Sequence, residues 1–200
     1  HDVTIVRPTD PNAPIMVNVG RQDGLSVNGG VDIAGVGLGF KNDTTNTKQT
    51  QFSIDPKMME IDPQTKLPKH PETYEAVQTF LQTGLMPGAG NLKDPAAQKA
   101  YEQFGQARKD VEALNAQIAE AQKKPASDPA AQAELQRLLT QLNSAQSKID
   151  LNRNYLNDQW QTENGAGKEP VPGVKVQGRD DNKDSEFSAS VAGFQIGKVN

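Results

Sequence analysis

The sequence predicts an α+β fold in which a small antiparallel β-rich base carries a long antiparallel helical hairpin of the coiled-coil type. Three observations predict it. Residues 94–161 hold two apolar stripes of helical period, each opened by an Asp-Pro pair. The turn between the stripes is short and polar, which requires antiparallel helices. Short strand-like runs lie on both sides of this segment, so the hairpin is inserted between the N- and C-terminal parts of one base.

This pattern divides the chain into four predicted parts. They are an N-terminal β-rich part of the base (1–69), a short helix and linker (70–93), the helical hairpin (94–161) and a C-terminal β part of the base (162–200).

The first 56 residues read as strands. Residues 3–6 and 15–19 are β-branched runs separated by prolines. In residues 31–40 glycine alternates with apolar side chains, which predicts a strand with one bare face. We interpret the polar residues 41–51 as a mobile loop, after which residues 51–54 return to strand.

A short helix follows in the sequence. His70 and Pro71 mark its start and Gly84 its end. The apolar side chains between them recur at helical spacing, which predicts a face that packs on the sheet or on the hairpin root.

The two arms of the hairpin have matching apolar stripes. The first comprises Ala97, Ala100, Phe104, Ala107, Val111, Leu114, Ile118 and Ala121; the second comprises Ala131, Leu135, Leu138, Leu142, Ala145, Ile149, Asn152 and Leu156. Folding the arms about residues 123–127 pairs the stripes without a skipped residue. Asn152 is the polar member, and we expect it to be buried and to fix the register.

The apolar surface of the second arm widens towards the end at which both arms rejoin the chain. Leu151, Tyr155 and Trp160 lie there, with Tyr101 at the same height of the first arm. We expect all four to pack on the base. Beyond the hairpin, residues 174–176 and 186–199 return to strand.

Composition limits the function classes. Hydrophobic residues make up 34% of the chain and aromatic residues 5%, which favours an extended shape or an oligomer over one large core. A net charge of −4 and a pI near 5.2 argue against nucleic-acid binding. The absence of cysteine excludes disulfides and thiolate chemistry.

The ends of the sequence bear on its location. No run approaches the 18 apolar residues of a membrane span, and the chain does not start with Met. We interpret it as a processed form, a fragment or a tagged chain. A secreted, surface or virion-associated location is favoured.

Two weak metal sites are predicted. Asp180, Asn182, Asp184 and Glu186 place oxygen atoms at alternate positions, as calcium loops do, although a solvated acidic loop is the commoner meaning of such a run. If His1 is the mature N-terminus, its amine and imidazole could chelate copper and, with His70, could form the brace that lytic polysaccharide monooxygenases use, a family that the chain resembles in this one terminal residue. No other cofactor is expected.

No catalytic motif is present, so the sequence predicts a protein that is not an enzyme. We expect the hairpin to dock on another protein or on a second copy of the chain, which would form a homo-oligomer. The predicted partner-binding residues are Leu139, the small residues Ala107 and Ala145, which permit close helix approach, and Asn152. Such a protein would be a structural component of a secretion, surface or virion assembly, or a secreted effector.

The strand–hairpin–strand order of residues 15–199 is similar in outline to the periplasmic adaptor proteins of efflux and type I secretion systems. That resemblance implies a hairpin that bridges to a channel protein. A copper- or calcium-binding secreted protein is the remaining alternative.

Overall fold

The structure is a computed structural model that describes residues 2–22, 47–125, 127–180 and 194–198. Its strands and α-helices, in chain order, are β1 (Asp2–Pro8), β2 (Ile15–Gln22), β3 (Thr47–Ile54), α1 (Pro71–Thr83), α2 (Pro95–Ala121), α3 (Pro129–Glu163), β4 (Val174–Asp180) and β5 (Phe194–Lys198). Two short 3₁₀ turns, Pro56–Met59 and Ala89–Asn91, lie between them.

The described strands form one antiparallel sheet in the order β4-β3-β2-β1-β5. The first three strands precede the helices and the last two follow them. The predicted fold class is therefore confirmed in its coarser part, a mixed α+β chain whose N- and C-terminal strands share one antiparallel sheet. The strand predicted at 31–40 lies outside the described residues.

The structure corrects the loop predicted at residues 41–51. Residues 47–50 are the first half of β3, and their backbone pairs with residues 19–22 of β2. Threonine is β-branched and favours strands, so Thr47 and Thr50 support this strand, and pairing with β2 holds the intervening Lys48 and Gln49 in it. Residues 41–46 are outside the described part.

The main core lies between one face of the sheet and the helices. Alternate residues of the central strands, Val17 and Phe52 among them, are fully buried on this face. The Phe52 ring meets the Phe80 ring of α1 edge to face at 5.4 Å and the Trp160 ring of α3 at 6.5 Å. Aromatic contacts of this kind join the sheet, α1 and the end of α3 in one core.

The helix boundaries follow the sequence signals. Pro occupies the first position of α1, α2 and α3, and the carboxylates of Asp94 and Asp128 accept hydrogen bonds from the second residue of α2 and α3. Gly84 ends α1 in the left-handed conformation with φ 74°. The two carboxylates accept from N–H groups that helix starts leave unpaired, and the Gly84 N–H donates to the Phe80 carbonyl, so the ends predicted from these residues are confirmed.

Helices α2 and α3 pack against each other in opposite directions. The Tyr155 hydroxyl near the end of α3 donates to Asp94 at the start of α2, at 3.1 Å, and Lys124 beyond α2 pairs with Glu134 near the start of α3. Every predicted stripe residue of α2 except the half-buried Leu114 is buried. The coiled-coil geometry and the projection of the pair from the base stay predictions.

The apolar contacts between α2 and α3 fall into two clusters. Phe104, Val111, Ala145 and Ile149 belong to the main core. Nearer the α2–α3 turn, Ile118, Ala121 and Leu138 form a second buried cluster, with Leu114, Leu135 and Leu142 packed against it. The second cluster is made of α2 and α3 residues alone, and Leu114 and Leu142, which pack against both clusters, connect it to the main core.

Several expectations about the root of α3 are wrong. Asn152 is half exposed, because its amide donates to the Lys148 carbonyl of the same helix at 2.8 Å and does not enter the stripe. Trp160 is fully buried, as expected, but Leu151 is 71% exposed, and Tyr101 and Tyr155 are 42% and 36% exposed. Leu151 therefore faces solvent, whereas the Tyr101 ring, although partly exposed, lies against Gly90 of the α1–α2 connection, where a Cβ would meet it at 2.8 Å.

No helix in the described ranges is long and apolar enough to cross a membrane.

Candidate functional site

The predicted partner-binding residues lie in two kinds of environment. Ala107 and Ala145 are 2% and 6% exposed in the main core. Their small side chains therefore allow α2 and α3 to approach each other, and the interpretation of these two as a surface for a partner is wrong. Leu139 is 38% exposed and Asn152 half exposed, so both side chains reach solvent and their partner-binding role stays a prediction.

The turn end of the helix pair is bounded by ion pairs. Lys124 pairs with Glu134 across the turn, and Lys123 pairs with Glu120 at 2.5 Å. The Lys124 ammonium lowers the pKa of the Glu134 carboxyl. Since all four side chains are substantially exposed, these pairs orient the turn and add little stability.

The root of α3 is anchored to the connection between α1 and α2 by three side chains spaced along one face. The Arg153 guanidinium donates to the Thr83 carbonyl at 3.3 Å, and the Trp160 indole donates to the Pro87 carbonyl at 2.7 Å. Between them the Asn157 side chain accepts from the Met86 N–H and donates to the Gly84 carbonyl, both at 2.9 Å. We call these three residues the α3 anchor.

Arg153 is the charged member of the α3 anchor and is only 3% exposed. Its guanidinium pairs with the Asp150 carboxylate at 2.9 Å, and within the described residues its Nε has no hydrogen-bond partner. Burial raises the pKa of the Asp150 carboxyl, and the neighbouring Arg153 charge opposes this rise without cancelling it. Arg153 is therefore a buried cation that interacts with the Asp150 carboxylate and the Thr83 carbonyl.

Sequence reasoning missed Arg153 and Asn157. In the sequence they stand beside the apolar stripe and look like solvent-facing residues. One feature of the sequence could have predicted their role, and it is the connection between α1 and α2. A buried loop must find hydrogen-bond partners for its backbone N–H and C=O groups. Polar residues at i and i+4 on the facing helix are the natural donors and acceptors.

A small cleft of about 60 Å³ opens between the end of α3 and the edge of the sheet. It is lined by Thr50, Trp160, Gln161, Asn164, Gly165, Ala166, Val176 and Gly178. The Thr50 hydroxyl is buried and has no partner among the described groups. Since this lining has no ionisable side chain, the cleft can hold a few water molecules but supplies no acid, base or nucleophile set.

The acidic residues of the loop between β3 and α1 are engaged in local structure. Asp62 accepts hydrogen bonds from the N–H groups of Gln64 and Thr65, and these bonds lower the pKa of its carboxyl. Glu60 pairs with Lys69 at 2.7 Å, which lowers the pKa of Glu60 and raises that of Lys69. Both carboxyls are thus held ionised, which is unsuited to general acid chemistry.

The predicted metal ligands fall mostly on residues that are not described. His1, Asn182, Asp184 and Glu186 lie outside the described ranges. Asp180 is the last residue of β4, where its backbone pairs with Gln49. Across the ranges that are described, no three His, Asp or Glu side chains are grouped to hold a metal ion.

Comparison of the chain with protein-family models, with curated proteins and with solved structures finds no match in any of the three.

Proposed function

We propose that this chain is a non-enzymatic structural or protein-interaction protein, which presents the α2–α3 pair as a helical hairpin to another protein or to a second copy of itself. The observation that carries the proposal is the cluster of Ile118, Ala121 and Leu138, which α2 and α3 form between themselves near their turn. The turn half of the pair therefore buries apolar side chains of α2 and α3 against each other, with no strand or α1 residue in that cluster.

Contacts at both ends of the α2–α3 pair support its role in presenting a docking surface to a partner. At the root, the α3 anchor joins α3 to the α1–α2 connection by four hydrogen bonds. At the turn, the exposed pair of Lys124 and Glu134 helps to orient the two helix ends but adds little stability. A surface that is fixed before binding loses little conformational entropy when a partner docks, which favours recognition.

The length of α3 also supports a hairpin that projects from the base. At 1.5 Å per residue the 35 residues of α3 span about 52 Å. A compact chain of 200 residues has a radius of gyration of about 17 Å, which corresponds to a sphere about 44 Å across. We therefore expect small-angle X-ray scattering of the full chain to give a radius of gyration well above 17 Å, and a value near 17 Å would contradict the projecting hairpin.

The docking surface is tested with two exposed leucines of α3. A photo-crosslinking residue placed at Leu139, in the half that bears the second cluster, is expected to join the chain to its partner. The same residue at Leu151, which is more exposed and lies in the root half, is the matched control. A crosslinked product of twice the chain mass identifies self-association, and another mass identifies a different protein.

Equal crosslinking from both positions, or none from Leu139, would refute docking through the turn half of the pair. The adaptor-like and metal-binding alternatives rest on the sequence outline alone and stay predictions.

A further inference from the structure

We propose that Asn164 is a site of spontaneous deamidation, and that its modification loosens the last turn of α3. The site is formed by Asn164, which ends the helix, and Gly165, which follows it. The reactants are the chain's own backbone amide and water. This inference is independent of the proposed function.

The chemistry is an attack by the backbone on the side chain. Base removes the Gly165 N–H proton, and the nitrogen forms a bond to Asn164 Cγ. The Cγ–Nδ2 bond then breaks, and the amide nitrogen takes a proton from water and leaves as ammonia. Water opens the resulting five-membered imide at either carbonyl, which gives aspartate or isoaspartate with no oxidation or reduction.

Gly165 suits this reaction in three respects. It has no Cβ to crowd the approach of its nitrogen, it is exposed to solvent, and its N–H donates to no acceptor in the part of the chain that the structure describes. A hydrogen-bonded N–H would resist deprotonation and would hold the nitrogen away from the side chain.

The intact Asn164 side chain closes the end of α3. Its Nδ2 donates to the Trp160 carbonyl at 3.1 Å, and its backbone N–H donates to the same carbonyl at 2.9 Å. This restrains the amide, so the reaction proceeds from conformations in which the Nδ2 bond is broken. Deamidation should therefore be slower in the folded chain than in the unfolded chain.

Aspartate or isoaspartate at position 164 should destabilise the end of α3. A carboxylate cannot donate to the Trp160 carbonyl, and it places a negative charge at the carbonyl end of a helix, where the helix dipole disfavours it. Trp160 is fully buried and its indole donates to Pro87, so this turn carries part of the α3 anchor. Modification at Asn164 thus acts on the attachment of α3 to the α1–α2 connection.

The test is ageing of the full chain in mildly alkaline buffer, followed by peptide mapping by mass spectrometry. The expected result is conversion of Asn164 to a mixture of aspartate and isoaspartate, accelerated by base and several-fold slower than in chain denatured with urea. Mapping separates this site from the other Asn-Gly pair, Asn28–Gly29, which lies outside the described residues. An Asn164 that stays intact in folded protein while the denatured chain converts would overturn the proposal.

Gly165→Ala is the matched control, because a Cβ at this position would meet nothing within 4 Å. It should leave the fold unchanged and slow the conversion several-fold, and an unchanged rate would overturn the imide route. The structural effect is read from the fluorescence of Trp160, the single tryptophan. Asn164→Asp should shift its emission to the red, and an unshifted spectrum would overturn the loosening of α3.

Discussion

At the scale of single residues, the attachment of α3 depends on polar side chains in places where sequence patterns expect solvent. Arg153 is the clearest case, since its guanidinium is buried and interacts with one carboxylate and one carbonyl. Burying a charge is costly, and most of the cost is recovered only while its partners remain. The contribution of Arg153 is therefore best measured by removing it alone and together with Asp150.

Replacing Arg153 with methionine should lower the free energy of unfolding by about 1–3 kcal/mol, because the partly buried Asp150 carboxylate loses its counter-ion and the Thr83 carbonyl loses its donor. Urea unfolding measures the change. The double variant Arg153→Met/Asp150→Leu should recover much of the loss, since an apolar pair can replace a buried ion pair. A double variant no more stable than Arg153→Met would contradict this account.

At the scale of elements, the sequence predicts helix ends better than it predicts what the helices contact. Asp94, Asp128 and Gly84 act through their own neighbours in the chain, so their effect is visible in the sequence. The α3 anchor joins residues about 70 positions apart, and no local pattern records that. Asn152 failed as a predicted seam residue because a hydrogen bond within its own helix was available to it.

Two glycines test the difference between a helix end and a helix interior. Gly105→Ala, inside α2, should raise the free energy of unfolding by about 0.5–1 kcal/mol, because glycine is entropically costly in a helix and the new Cβ meets nothing within 4 Å.

Gly84→Ala, at the end of α1, should lower the free energy of unfolding by about 1–2 kcal/mol, because alanine is strained at φ 74°. The new Cβ at Gly84 would lie at ordinary contact distance, 3.6 Å, from Arg153 Cδ, so strain alone decides the sign. Thermal and urea unfolding of both variants check the pair, and a Gly84→Ala chain as stable as the parent would contradict it.

At the scale of the whole molecule, apolar side chains are divided between a main core and the cluster near the α2–α3 turn. The sequence predicts the stripes that form both, but it does not show that they separate. The two clusters meet at Leu114 and Leu142, which pack against both, and the strands and α1 contribute buried residues to the main core alone. Two cores of unequal size imply that parts of the molecule open with different free energies.

Leucine-to-alanine substitutions in the two cores should therefore speed amide hydrogen exchange in different parts of the chain. Leu138 and Leu156 are both almost fully buried, so each change should cost about 2–5 kcal/mol locally. Leu138→Ala should speed amide hydrogen exchange strongly in residues 114–142 and much less in the sheet, because no strand residue belongs to the second cluster. Leu156→Ala, in the main core, should speed exchange in the sheet, α1 and the root of α3 together. Exchange measured residue by residue distinguishes the two, and a Leu138→Ala chain whose sheet exchanges as fast as its turn would show that the two clusters open as one unit.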